Sequence, residues 1–148
     1  MTDIGTSRVF RINPEALDLP ERHGRATFTA SRQPSSTLVV VAEGDVDMVN
    51  HRALARYVEG RILGSSRLVV DLRLVDFFGT AGFAALHNIN VISCRHDVRW
   101  VLRAGRQVRR LLAICDPDGS LPLEASQSIL DDLHAGACDR ELLIGRNN

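Results

Sequence analysis

The strongest constraint on the fold is the segment Leu68-Val69-Val70-Asp71-Leu72, which is apolar on both sides of an extended chain. A strand that buries both of its faces is typical of a parallel sheet covered by other elements. A second run, Leu38-Val39-Val40-Val41-Ala42, is rich in β-branched residues and has the length of a strand. Because segments with helical spacing of apolar residues follow both runs, the sequence predicts an α/β domain with a largely parallel sheet.

Four helices are expected from this spacing. The first spans Val49 to Leu63, and either Asp47 or Asn50 stands where an N-cap belongs. The others are predicted near Thr80 to Ser93, Val108 to Cys115 and Ile129 to Ala137. Further strands are expected at Trp100-Val101-Leu102, at Leu121 to Ala125 and, as an edge strand, at Ala26 to Ser31.

A length of 148 residues suits a single domain. Residues 1–25 show no clean period and contain Pro14, Pro20 and Gly24, so we predict an irregular N-terminal arm. The domain itself is predicted to cover residues 26–137, and residues 138–148 are predicted to be a C-terminal tail.

Catalytic motifs are not found in the sequence. It has no nucleophile elbow, no phosphate-binding loop with its lysine and no zinc-protease helix, so we expect no enzyme and no cofactor. His134 and Cys138 lie four residues apart, but two ligands do not make a zinc site, and no metal is expected.

Charge, hydropathy and cysteine content indicate which partners and which cellular compartment to expect. The formal net charge is zero, which gives no general attraction to nucleic acid or to acidic membranes. No apolar run approaches the ~20 residues of a membrane span, and residues 1–5 do not resemble a signal peptide. The three cysteines are odd in number and widely spaced, which favours reduced thiols in the cytoplasm.

The most informative stretch runs from Val70 to Leu86. It reads as a buried strand, a short connection and a helix that starts with the small residues Gly79-Thr80-Ala81-Gly82. Small residues at a helix start let another backbone or a phosphate approach the free N–H groups. A simpler interpretation is a well-capped helix with Thr80 as its N-cap.

This stretch resembles the signature of STAS domains of the anti-sigma factor antagonist type. There, an apolar strand is followed by Val-x-Phe, by Asp-Ser-Ser/Thr-Gly and by an apolar helix; here the corresponding residues are Val75-Asp76-Phe77 and Gly79-Thr80-Ala81-Gly82. Upstream, Gly44-Asp45-Val46-Asp47 is similar to the family's Gly-Glu-Leu-Asp. The resemblance implies a four- or five-stranded sheet with four helices mainly on one side.

The resemblance also implies a partner and a switch. The partner would be an anti-sigma factor of the histidine-kinase-like ATPase type, which phosphorylates the second hydroxyl of the motif. That position is Ala81 here, which has no hydroxyl. Two hypotheses follow: binding is constitutive, or Thr80 has become the phosphate acceptor.

The expected contact surface combines the two motifs. It consists of Asp45, Asp47, Met48, Gly79, Thr80, Ala81, Gly82 and Phe83. Phe83 is interpreted either as an exposed apolar contact or as a core residue. A homodimer is a further possibility, and the alternative function is a ligand sensor that binds a nucleotide or another anion at residues 79–82, aided by arginines among residues 95–110.

Overall fold

A computed structural model of the chain describes residues 17–124. Within this range, five strands form one mixed sheet whose spatial order follows the chain. The antiparallel pairs β1–β2 and β2–β3 are followed by the parallel pairs β3–β4 and β4–β5. The strands are β1 (Glu21–His23), β2 (Ala26–Gln33), β3 (Thr37–Val46), β4 (Arg67–Phe78) and β5 (Arg99–Ala104).

Helices connect the parallel strands. Helix α1 (His51–Glu59) joins β3 to β4, α2 (Thr80–Arg95) joins β4 to β5, and α3 (Arg106–Cys115) follows β5. Such crossovers are what parallel pairing requires. The predicted α/β architecture is therefore confirmed, while the predicted fourth helix, the C-terminal tail and the pair His134 and Cys138 lie outside the described residues.

The main core lies between the helices and one face of the sheet. All three helices and strands β2–β5 contribute buried apolar side chains to it. Trp100 is buried there, and its indole N–H donates a hydrogen bond to Oδ1 of Asn90 on α2 at 2.8 Å. On the other face, Val39, Val69 and Val101 are aligned across three strands and form a small second cluster.

Strand β4 contains two irregularities that decide which of its side chains are buried. Relative to β3, strand β4 has one extra residue between Asp71 and Leu74 and another between Val75 and Phe77. An extra residue in one strand of a pair, a β-bulge, turns the following side chains to the other face. As a result Leu72, Val75 and Phe78 all join the main core, although they lie three residues apart.

Several local predictions are wrong. Residues Glu21–His23 lie within the predicted irregular arm but form the edge strand β1, so β2 is an inner strand. Near the C-terminal end of the described chain, Leu123 makes only an isolated parallel bridge to Leu102. Cys115 is a free thiol, in line with the expectation for that residue.

Within residues 17–124, no helix is long and apolar enough to cross a bilayer.

Candidate functional site

The two sequence motifs meet at the carboxyl ends of β3 and β4. Asp45 pairs with Phe77 and Val46 pairs with Phe78, so the ends of the two strands are in register. The backbone N–H of Gly79 then donates a hydrogen bond to the carbonyl of Val46 at 3.1 Å. The start of α2 is thereby joined directly to the end of β3. We call residues 45–49 and 77–83 the strand-end surface.

Gly44 allows the neighbouring strand to approach this surface. Its φ is +93°, and a β-carbon there would lie 2.2 Å from the carbonyl oxygen of Arg25. The next residue, Asp45, donates its backbone N–H to that same carbonyl at 3.0 Å. Only glycine fits this combination of positive φ and close backbone contact, which explains the first residue of the motif Gly44-Asp45-Val46-Asp47.

Asn50 fixes the loop that carries Asp47 and Met48. Its side chain is fully buried and accepts a hydrogen bond from the backbone N–H of Asp47 at 3.0 Å. Its amide nitrogen donates to the carbonyls of Asp45 at 2.8 Å and His23 at 3.0 Å. The amide thus links the end of β3, the loop and β1.

The prediction for the start of α1 is confirmed in position but not in hydrogen bonding. Asn50 occupies the N-cap position, but its side chain makes no cap hydrogen bond. Asp47 accepts a hydrogen bond from the N–H of Val49 at 2.9 Å, which closes a turn ahead of the helix. The side chains of Asn50 and Asp47 therefore shape the loop ahead of the helix.

Three large apolar side chains are exposed on the strand-end surface. Met48 and Val49 are 81% and 80% exposed, and Phe77 is 53% exposed. The ring of Phe77 lies beside Gly79, where a β-carbon would be 3.2 Å from it. Met48 was expected here, but Val49 and Phe77 were missed. The doublet Phe77-Phe78 was the available signal, since a strand cannot bury both members on one face.

At the start of α2 the structure corrects one prediction. Gly79, and not Thr80, occupies the N-cap position, and Thr80 is the first helical residue. Thr80 is exposed, and its hydroxyl makes no hydrogen bond within the described residues. Ala81 is half-buried. No cap hydrogen bond therefore occupies the Thr80 hydroxyl.

Gly82 and Phe83 both face the interior of the domain. A β-carbon on Gly82 would lie 2.6 Å from the ring of Phe78, so this glycine makes room for a core side chain. Phe83 is half-buried, packs against the main core and contacts His87 edge-to-face with ring centroids 4.6 Å apart. Of the two interpretations of Phe83, core packing is the one that the structure shows.

The STAS domain family model matches residues 29–128 of the chain. The chain belongs to the STAS domain family. Among solved structures, an anti-sigma factor antagonist from Mycobacterium paratuberculosis is 23% identical, with a TM-score of 0.60 over 73% of this chain and 92% of that one. The unphosphorylated anti-sigma factor antagonist SpoIIAA is 10% identical, with a TM-score of 0.47 over 82% of this chain and 99% of that one. A search of curated protein sequences finds no match.

In this STAS domain the small residues at the start of α2 have an intramolecular explanation. The spaces beside Gly79 and Gly82 are taken by the rings of Phe77 and Phe78. Of the arginines that were expected to assist anion binding there, Arg95 is the last residue of α2, at the opposite end of the helix from Gly79. Within residues 17–124, no three potential metal ligands lie together.

Proposed function

We propose that this STAS domain is a non-catalytic regulatory module that binds an anti-sigma factor of the histidine-kinase-like ATPase type. The main observation behind this proposal is that Met48, Val49 and Phe77 are exposed on the strand-end surface, which also contains residues of both family motifs. The shared fold with an anti-sigma factor antagonist from Mycobacterium paratuberculosis supports an anti-sigma factor as the partner. We propose the cytoplasm as the location, where such a partner acts.

The side chains suit a protein interface. Exposed apolar residues that cluster on a folded domain mark contact sites, and aromatic residues dominate the binding energy of many interfaces. Methionine adapts its shape to a partner surface because it is unbranched. Phe77 is held against Gly79, so its ring is partly ordered before a partner arrives.

The support for the loop is equally relevant. Asn50 holds the Asp45 carbonyl and the Asp47 N–H through hydrogen bonds, which limits the motion of the segment that presents Met48. A contact surface whose backbone is already fixed loses less conformational entropy on binding. Asp45 and Asp47 add negative charge beside the apolar side chains, so the matching partner surface would be apolar with a basic rim.

We further propose that binding is constitutive with respect to the family switch. A phosphate on the second hydroxyl of the motif adds about −1.5 to −2 charges at a helix start and would oppose partner contact. Ala81 offers no hydroxyl for this reaction. Regulation would then depend on the amounts of the two proteins.

The test is a calorimetric titration of the purified chain with ATPase-type anti-sigma factors from the same genome. We expect one of them to bind, and Phe77→Ala to weaken that binding by about tenfold or more, as loss of a central aromatic contact does. Ile114→Ala is the matched control, because Ile114 is 78% exposed on α3, outside the strand-end surface. Equal effects of the two substitutions, or no binding to any candidate, would contradict the proposal.

A further inference from the structure

Helices α1 and α2 enclose an open groove away from the strand-end surface. Its volume is about 310 Å³. Arginines from both helices line it: Arg52 and Arg56 from α1, and Arg95 from α2. Glu59, Asn88 and Val91 are also part of its wall. The groove is thus concave, mainly polar and bordered by side chains that can donate many hydrogen bonds.

The arginines of this groove are poorly compensated by acids. Glu59 is the one acidic residue in the wall, which leaves two positive charges in excess. It contacts Arg95 at 3.5 Å, and both side chains are about half exposed, so this ion pair is weak. Within residues 17–124, the guanidinium groups of Arg52 and Arg56 form no hydrogen bond or ion pair.

Two of the groove arginines lie on α1 in positions where they repel each other. Arg52 and Arg56 are four residues apart, so they lie on the same side of the helix, where like charges repel each other. Neither side chain is needed to cover the core, because both are exposed. A ligand that carries negative charge would relieve this repulsion.

We propose that the groove between α1 and α2 binds a small molecule that carries a diphosphate group. Guanidinium groups recognise phosphate oxygens through paired hydrogen bonds. Two excess positive charges match a diphosphate better than a single carboxylate, and a concave wall concentrates the field of the arginines. The Asn88 amide adds further donors, and Val91 supplies an apolar contact for the remainder of the molecule.

The proposal is tested by calorimetric titration of the full chain with inorganic pyrophosphate at fixed ionic strength. We expect saturable binding at one site, and Arg56→Gln to weaken it by about tenfold or more, since each charged hydrogen bond contributes substantially. Arg52→Gln should have a similar effect. Because both side chains are exposed and unpaired, neither substitution should lower the melting temperature.

Arg106→Gln is the matched control, because Arg106 is an exposed arginine on α3 that does not line the groove. Its pyrophosphate affinity should equal that of the unsubstituted chain. A parallel titration with ADP distinguishes two classes of ligand. Tighter binding of ADP assigns a nucleotide, and tighter binding of pyrophosphate assigns a free diphosphate. Absence of saturable binding, or equal weakening by Arg106→Gln, overturns the site.

Discussion

The ring of Phe78 occupies the space beside the backbone of Gly82, where a β-carbon would lie 2.6 Å from two ring carbons. This contact couples the end of β4 to the first turn of α2. It also places Phe78 in the core while its neighbour Phe77 remains exposed. The geometry of the strand-end surface therefore depends on the absence of a side chain at residue 82.

The first prediction concerns this contact. Gly82→Ala should destabilise the domain by about 1–2 kcal/mol, because overpacking against Phe78 exceeds the gain in helix propensity. For a chain of this size, that corresponds to a fall in melting temperature of roughly 2–8 °C. Thermal unfolding followed by circular dichroism measures it.

A double-mutant cycle checks the mechanism. Phe78→Leu removes the clash at the cost of a cavity, so adding Gly82→Ala to Phe78→Leu should cost less than it does alone. If Gly82→Ala stabilises the chain, as alanine does at unrestricted helical positions, the packing argument is wrong.

The second prediction concerns the buried amide of Asn50. Asn50→Ala should cost about 2–3 kcal/mol, because the carbonyls of His23 and Asp45 and the N–H of Asp47 all lose their partner. The midpoint of urea unfolding is the measurement. Asn50→Asp should not restore stability, since a carboxylate cannot donate to two carbonyls.

Asp47→Ala serves as the control for Asn50. It removes one hydrogen bond, to the N–H of Val49, in an exposed turn. Its cost should stay below about 1 kcal/mol. Equal costs for the two substitutions would mean that burial of the Asn50 network contributes nothing.

The third prediction concerns phosphorylation of the strand-end surface. Incubation with ATP and the anti-sigma factor that binds the chain should leave its intact mass unchanged, because Ala81 has no hydroxyl. Ala81→Ser should gain one phosphate and lose affinity for the partner. A phosphate on the unsubstituted chain that disappears in Thr80→Ala would overturn constitutive binding, and the exposed Thr80 hydroxyl makes this outcome the one to look for.

The fourth prediction uses Tyr57, the sole tyrosine of the chain. Burial raises the pKa of Tyr57 to about 12, although the Arg61 guanidinium opposes this shift. Arg61 lies 3.5 Å from the ring centroid, and the Tyr57 hydroxyl makes no hydrogen bond within the described residues. Ultraviolet titration of the folded chain should therefore show ionisation near pH 12, and titration in denaturant should show it near pH 10.

The sign of the stability effect follows from that shift. The folded chain holds the phenol proton more tightly than the unfolded chain. The contribution of the protonated Tyr57 to the free energy of unfolding is therefore complete below pH 10 and is lost as pH rises towards 12. Tyr57→Phe should abolish the ultraviolet transition while leaving stability at neutral pH nearly unchanged, because it removes an unpartnered hydroxyl. An ionisation midpoint near 10 in the folded chain would contradict the buried environment.

The regular elements of the fold were predicted from the sequence, whereas the bulged end of β4 was not. The strand at Leu68–Leu72 and the helix that follows the first strand run were predicted correctly, because burial of a regular strand or helix leaves a periodic pattern. The extension of β4 to Phe78 was not predicted. Its bulges place buried side chains three residues apart instead of two, so a search for alternating apolar residues does not detect this part of the strand.

The candidate site divides in the same way. Asp45, Met48 and the residues from Gly79 to Gly82 were proposed from motif similarity, and the structure brings them to the carboxyl ends of β3 and β4. Asn50 was interpreted as a cap, and Phe77 was overlooked. Both roles depend on partners distant in sequence, namely the carbonyl of His23 for Asn50 and the pairing with Asp45 for Phe77.

The sequence by itself determined the alternation of strands and helices, the two motifs and the missing hydroxyl at Ala81, because these are properties of residue order and residue type. Only the tertiary structure decided that Phe77 is exposed while Phe78 is buried, that Gly79 and not Thr80 is the N-cap of α2, and that Arg52, Arg56 and Arg95 line one groove. The physical reason is that strand register and helix packing arise from long-range contacts, which local periodicity does not record.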